Sequence, residues 1–200
     1  MTARHHVARL FLLAALFSGP AFAQAYLPPP PPGYSYVIPY SGIPTFASVV
    51  TSSLTAAGDL ACISGSDSRN VRITKVGISA TANQSNVVTA SLIKRSSANA
   101  GGNPVMSVPY DSSIGQATAA VMDYDTVTTP GIAVGTVRSA KLPVGTTGNL
   151  ATVGLALFVF EPAPLLLRGP SEFLCANVSA IGIGASALVE FEHQETRLTQ

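Results

Sequence analysis

The chain has 200 residues, 47% of them hydrophobic and only 10% charged, with a formal net charge of +1. That length suits one domain once an export signal is removed, and ~150 residues can bury roughly 70% of their unfolded surface. So small a charged share argues against a helical protein, whose outward faces need Glu, Lys and Arg. The near-neutral balance lacks the concentrated basic face that nucleic acid requires.

Residues 1–25 have the pattern of a secretory signal peptide. Arg4, His5, His6 and Arg9 give a basic start, Leu10 to Phe17 an apolar run, and Ser18, Gly19 and Pro20 a helix break. Ala21-Phe22-Ala23 then offers a small-x-small cleavage site. Cleavage after Ala23 leaves Gln24 first, and cleavage after Ala25 leaves Tyr26. Read instead as a membrane anchor, the apolar run spans only ~12 Å as a helix, against a ~30 Å bilayer core. Without Arg4 and Arg9 the chain carries nine basic and ten acidic residues. No later segment holds the ~20 consecutive apolar residues of a membrane helix. An outer-membrane barrel would carry aromatic girdles, whereas aromatics are 7% and Trp is absent. The expected location is exported: periplasm, cell surface or extracellular.

Residues 26–44 are rich in Pro and Tyr, with Pro28 to Pro32 consecutive and Tyr26, Tyr34, Tyr36 and Tyr40 interleaved. Such a run favours an extended polyproline II rod, acting as a spacer or as an apolar docking strip.

From residue 45 to 200 the pattern is strands and turns. Val87, Thr89, Ser91 and Ile93 alternate with Val88, Ala90, Leu92 and Lys94. Val153, Leu155, Leu157 and Val159 take one face, and Phe158 and Phe160 the other. Ala187, Val189, Phe191 and His193 alternate with Leu188, Glu190 and Glu192. This is period two with β-branched and aromatic enrichment. Val71 and Ile73 differ in parity from Val76, Ile78 and Ala80, so a bulge is predicted near Lys75. Turn signals fall at 65–67, 99–104, 129–131, 145–149 and 168–170, giving about eight to ten strands and no helix. The predicted fold is all-β: a two-sheet antiparallel sandwich, jelly-roll-like.

Two cysteines, Cys62 and Cys175, sit in apolar runs near the start and end of this domain. In an oxidising compartment they are expected to form one disulfide, the alternative being two buried free thiols. Paired Cys spacing is absent and His193 is the one histidine beyond the leader, so neither a metal site nor any other cofactor is expected. A hydrolase triad likewise lacks a base. His193 and Glu195 would share one strand face and Glu190 and Glu192 the other, which reads as a solvated strand end. Asp123 and Asp125 share a strand face across Tyr124, as glycosidase carboxylates can, but the turn that follows explains them equally well. No catalytic residue is assigned, and the chain is expected not to be an enzyme. The low-ranking candidate ligand residues are Tyr110, Asp111, Asp123, Tyr124 and Asp125.

An ordered series of segments carries a family likeness. It runs through Ile63-Ser64-Gly65-Ser66, Val71 to Val76, Leu92 to Gly102, Val108 to Ser112 and Leu166 to Asn177. Over residues 60 to 195 the chain resembles a poorly characterised family of small β-sandwich proteins of tailed phages and prophages. The resemblance implies a structural or virion-associated role with self-association, a trimer among the forms, and carries over no site residues. The leader and the Pro/Tyr segment depart from that pattern, which leaves both a virion component and a host-retained secreted relative open. The leading expectation is thus an exported, non-enzymatic structural or interaction module presenting an assembly or binding face. The alternative is a small-ligand or glycan-binding sandwich.

Overall fold

The computed structural model describes residues 42–53, 56–82, 86–124, 129–146, 154–179 and 186–197. The signal peptide, its cleavage positions Ala23 and Ala25, Asp125 and nearly all of the Pro/Tyr segment lie outside these residues. Twelve strands and no helix occur among the described residues.

In chain order the strands are β1 (Thr45–Ser52), β2 (Gly58–Ser64), β3 (Arg69–Ala82), β4 (Asn86–Arg95), β5 (Asn103–Val105) and β6 (Val108–Pro109). They continue with β7 (Val121–Asp123), β8 (Ala133–Thr146), β9 (Leu155–Val159), β10 (Leu165–Leu167), β11 (Phe173–Val178) and β12 (Ser186–Arg197). The count exceeds the eight to ten read from sequence because β5, β6, β7 and β10 are only two or three residues long, too short to show an alternating pattern.

Two antiparallel sheets form a sandwich. The first has the order β6-β1-β12-β3, with β9 and β10 both on the far side of β3. The second has the order β5-β7-β2-β11-β4-β8. They join at one corner, where Thr81 and Ala82 of β3 run parallel to Gly145 and Thr146 of β8.

Between the sheets lie Leu60, Ile63, Ile73, Ile78, Leu92, Leu142, Leu174 and Phe191, all fully buried. Each such side chain contributes roughly 1.5–3 kcal/mol relative to exposure. Their spacing is the period-two pattern: on β4 Val88, Ala90 and Leu92 point inward, and on β12 Ala187, Val189 and Phe191 do so. The predicted bulge is present at Thr74, where Glu192 pairs with Lys75 and His193 with Ile73. That extra residue lets Val71 and Ile73 face the core on one side of it and Val76, Ile78 and Ala80 on the other. The Thr74 hydroxyl donates to the Glu192 carbonyl at 3.1 Å, occupying an acceptor beside the irregularity.

Cys62 and Cys175 form a disulfide between directly opposed residues of β2 and β11, with Cα atoms 4.0 Å apart and a sequence separation of 113.

Candidate functional site

Three groups of residues could carry function: a polar network over the disulfide, a polar cluster at the end of β12, and the outward face of the first sheet.

The disulfide lies on the outer side of the second sheet but is buried, because the chain after β4 and after β7 folds across it. Tyr124, Met122 and Phe173 pack around the two sulfurs. Gly102 permits this approach: its φ is +99°, and a Cβ there would lie 2.6 Å from the Tyr124 ring. Asp59 organises the polar side. Its carboxylate accepts from Arg95 Nε at 2.7 Å and Arg95 Nη2 at 3.0 Å. It also accepts from Asn99 Nδ2 at 2.8 Å and Asn177 Nδ2 at 2.7 Å. Arg95 Nη1 and the Asn99 side-chain oxygen then clasp the carbonyl and amide of Gly131, at 2.6 and 2.7 Å. With Asp59 so fully engaged, and both sulfurs in the bridge, the grouping of Asp59, Cys62 and Cys175 has no free ligand atoms to offer a metal. This network fastens loops to the sheet.

At the other end, His193 and Glu195 share the inner face of β12, as the spacing required, but they are buried and do not form a solvated strand end. The reason is non-local. Residues 110–120 cross this edge of the sandwich, and Glu195 accepts the Thr118 amide at 2.7 Å, the Thr118 hydroxyl at 2.9 Å and the Ala119 amide at 2.8 Å. Burial works to raise the Glu195 carboxyl. The nearby His193 ring and the Ala119 and Thr118 donors outweigh it, leaving the group below the ordinary carboxylate value. Arg69 Nε lies 3.8 Å away. The His193 ring stacks on Phe46 with centroids 5.3 Å apart. Its Nε2 is 3.7 Å from Glu195, and neither ring nitrogen has a hydrogen-bond partner among the described residues. Stacked on Phe46, this imidazole is fully buried.

Among the described residues, the candidate ligand residues Tyr110, Asp111, Asp123 and Tyr124 are spread over both sheets. Tyr110 follows β6 on the first sheet, its amide bonded to Thr45 and its hydroxyl donating to Glu192 at 2.9 Å. Asp111 closes a local turn, accepting the amide and hydroxyl of Ser113 at 2.8 and 2.7 Å. Asp123 ends β7 on the second sheet, and Tyr124 is buried there against the disulfide. A concave site of about 330 Å³ does open nearby, lined by Pro104 to Ser107, Gln116, Ala117 and Ala119. Its polar side chains are Gln116 and Ser107, and the Ser107 hydroxyl is already bonded to Ser48 at 2.6 Å.

The outward face of the first sheet has a different character. The register sets Val159, Lys75, Glu192, Ala47 and Val108 in one row across the strands. Leu157, Gly77, Glu190 and Val49 form the next, then Leu155, Ser79, Leu188 and Thr51. Six apolar side chains here, Val49, Val108, Leu155, Leu157, Val159 and Leu188, are between 41% and 64% exposed. Among them sits an ionic cluster spanning two rows, with Arg72 in the row beyond it. Lys75 Nζ lies 3.1 Å from Glu192 and 3.4 Å from Glu190, and its bond to Glu192 holds the ammonium above the ordinary lysine value. The alternation of β9 was legible in the sequence. That its leucines face out and Phe158 faces in became visible only with the pairing to β3.

Comparison with protein-family models, with curated proteins and with solved structures finds no match to this chain.

Proposed function

We propose that this protein is an exported, non-enzymatic structural or interaction module that meets a macromolecular partner through the outward face of the β6-β1-β12-β3-β9 sheet. The observation that carries this reading is the apolar surface on that face. Single exposed apolar residues are ordinary, but the six here share one sheet face whose charges are the Lys75, Glu190 and Glu192 cluster and Arg72. Charged groups are sparse at the centre of protein contacts, where apolar side chains and Tyr concentrate.

Export is supported by the leader pattern and is compatible with the buried disulfide. The non-enzymatic reading is supported by the buried His193, the one histidine beyond the leader. The resemblance to phage and prophage sandwich proteins favours an assembly role. A small-ligand or glycan site at Tyr110, Asp111, Asp123, Tyr124 and Asp125 has less support, because Tyr124 is buried and Tyr110 stands on the other sheet.

The test is site-specific photocrosslinking in the producing cell. A photoreactive residue replacing Leu157 is expected to capture a partner, and one replacing the more exposed Val134 on β8 is not. Equal yields, or none at Leu157, would refute the assignment of this face.

A further inference from the structure

We infer that the surface covering this face is a second copy of the chain, packed sheet against sheet about a twofold axis. The inference rests on the reading of this face as a contact surface and adds the identity of the partner.

Area comes first. Six apolar side chains and Tyr110, each about half exposed, offer on the order of 700 Å². A stable interface buries about 800 Å² per partner, and the largest patch on a typical monomer is about 300–600 Å². The face therefore exceeds the largest patch of a typical monomer and supplies most of the area of a dimer interface.

Charge then selects the partner. A twofold contact must be complementary to itself, because the same patch serves both subunits. This face meets that condition: the Lys75 cation lies between the carboxylates of Glu190 and Glu192. Inverting one copy on another can set Lys75 of each over a carboxylate of the other. A strongly acidic partner would meet Glu190 and Glu192, and a strongly basic one would meet Lys75. The other exposed apolar stretch, Ile132 and Val134 beside β8, lacks this property. Its strand carries no acid, so a second copy meeting there would offer that strand's Lys141, which lies on the outward side by Thr89, no carboxylate in return.

Relief is the third consideration. Gly77 lies in the middle of β3 on this face, and its φ is not in the left-handed region. A Cβ there would meet its nearest neighbours, Glu190 and Leu155, at 3.7 and 3.8 Å, which is ordinary contact. Nothing within the subunit requires glycine at this point, and a glycine inside a strand often marks the close approach of another backbone. With Ser79 two residues along the same strand face, it leaves a low floor beside the β9 leucines, suited to sheets packed ~10 Å apart.

The experiment is sedimentation equilibrium of the oxidised protein at several concentrations up to about 1 mM, where even weak association is populated. Wild type is expected at twice the chain mass. The Leu155→Lys, Leu157→Lys double variant is expected to associate about a hundredfold more weakly, since two cations are forced into the contact. Its thermal midpoint at low concentration should not change. Lys75→Glu and Glu190→Lys are each expected to weaken association, and their equimolar mixture to recover it by pairing across the axis. Wild type monomeric throughout would overturn the second-copy inference and leave the contact-face reading to the photocrosslinking result. A dimer indifferent to the lysines would overturn the inference and count against that reading as well.

Discussion

Glu195 accepts the backbone amide of Ala119 at 2.8 Å, so a carboxylate near the end of the last strand holds a loop 76 residues earlier in the chain. With Thr118 contributing its amide and hydroxyl, a charged group within the fold takes three donors from one short segment. The arrangement predicts how the protein responds to acid. Glu195 is depressed below 4.5 in the folded state, so its contribution is present above that value and is lost as pH falls through the lower folded value. Glu195→Gln is expected to cost about 1–3 kcal/mol at neutral pH, and to flatten the fall in stability below pH 4.5. Urea unfolding across pH 3 to 7 reads both effects; parallel profiles for the two proteins would contradict the assignment.

Asp59 and Arg95 make the second prediction. Removing the acid alone strands a guanidinium that is almost wholly buried. Asp59→Ala is therefore expected to destabilise by about 3–5 kcal/mol. Pairing it with Arg95→Met should cost clearly less than the two single changes together. A double-mutant cycle by denaturant unfolding measures this coupling, and additive costs would show that the pair does not act as a unit.

The disulfide closes a loop of 113 residues. On the chain-entropy model, losing it costs about 4–5 kcal/mol. A Cys62→Ala, Cys175→Ala variant is expected to show that loss in its denaturation midpoint, with the sheet signature in circular dichroism retained at low denaturant. An unchanged midpoint would mean that other contacts already constrain the unfolded chain.

Adjacent residues on β9 make the fourth. Leu157 points out and Phe158 points into the core. Phe158→Ala is expected to cost about 3–5 kcal/mol, and Leu157→Ser under about 1 kcal/mol at concentrations where the protein is monomeric. Thermal unfolding of the two variants side by side checks the contrast, and similar losses would reverse the facing proposed for the sheet.

What could be read from the sequence was set by local periodicity. The change of parity between Ile73 and Val76 gave away the bulge at Thr74, because a strand cannot shift its inward face without an extra residue. The two cysteines in apolar runs announced their pairing, although not that they sit directly opposite on neighbouring strands. His193 and Glu195 were assigned to the correct common face and the wrong environment. Their burial depends on residues 110–120 arriving from elsewhere, and alternation cannot register that. Asp59 went unnoticed, yet a lone acid directly before Leu60-Ala61-Cys62-Ile63 was a usable signal, since a charge in so apolar a strand needs partners. Those partners, Arg95, Asn99 and Asn177, lie 36, 40 and 118 residues away.

The pairing of β1 with β12 reaches beyond the folded state. Thr45 to Ser52 find their long partner only in Ala187 to Gln194, at the opposite end of the domain. While the chain emerges from a ribosome, β1 must wait for residues 187–194 to follow it. Closure of the first sheet therefore has to follow the arrival of β12, which pairs with both β1 and β3.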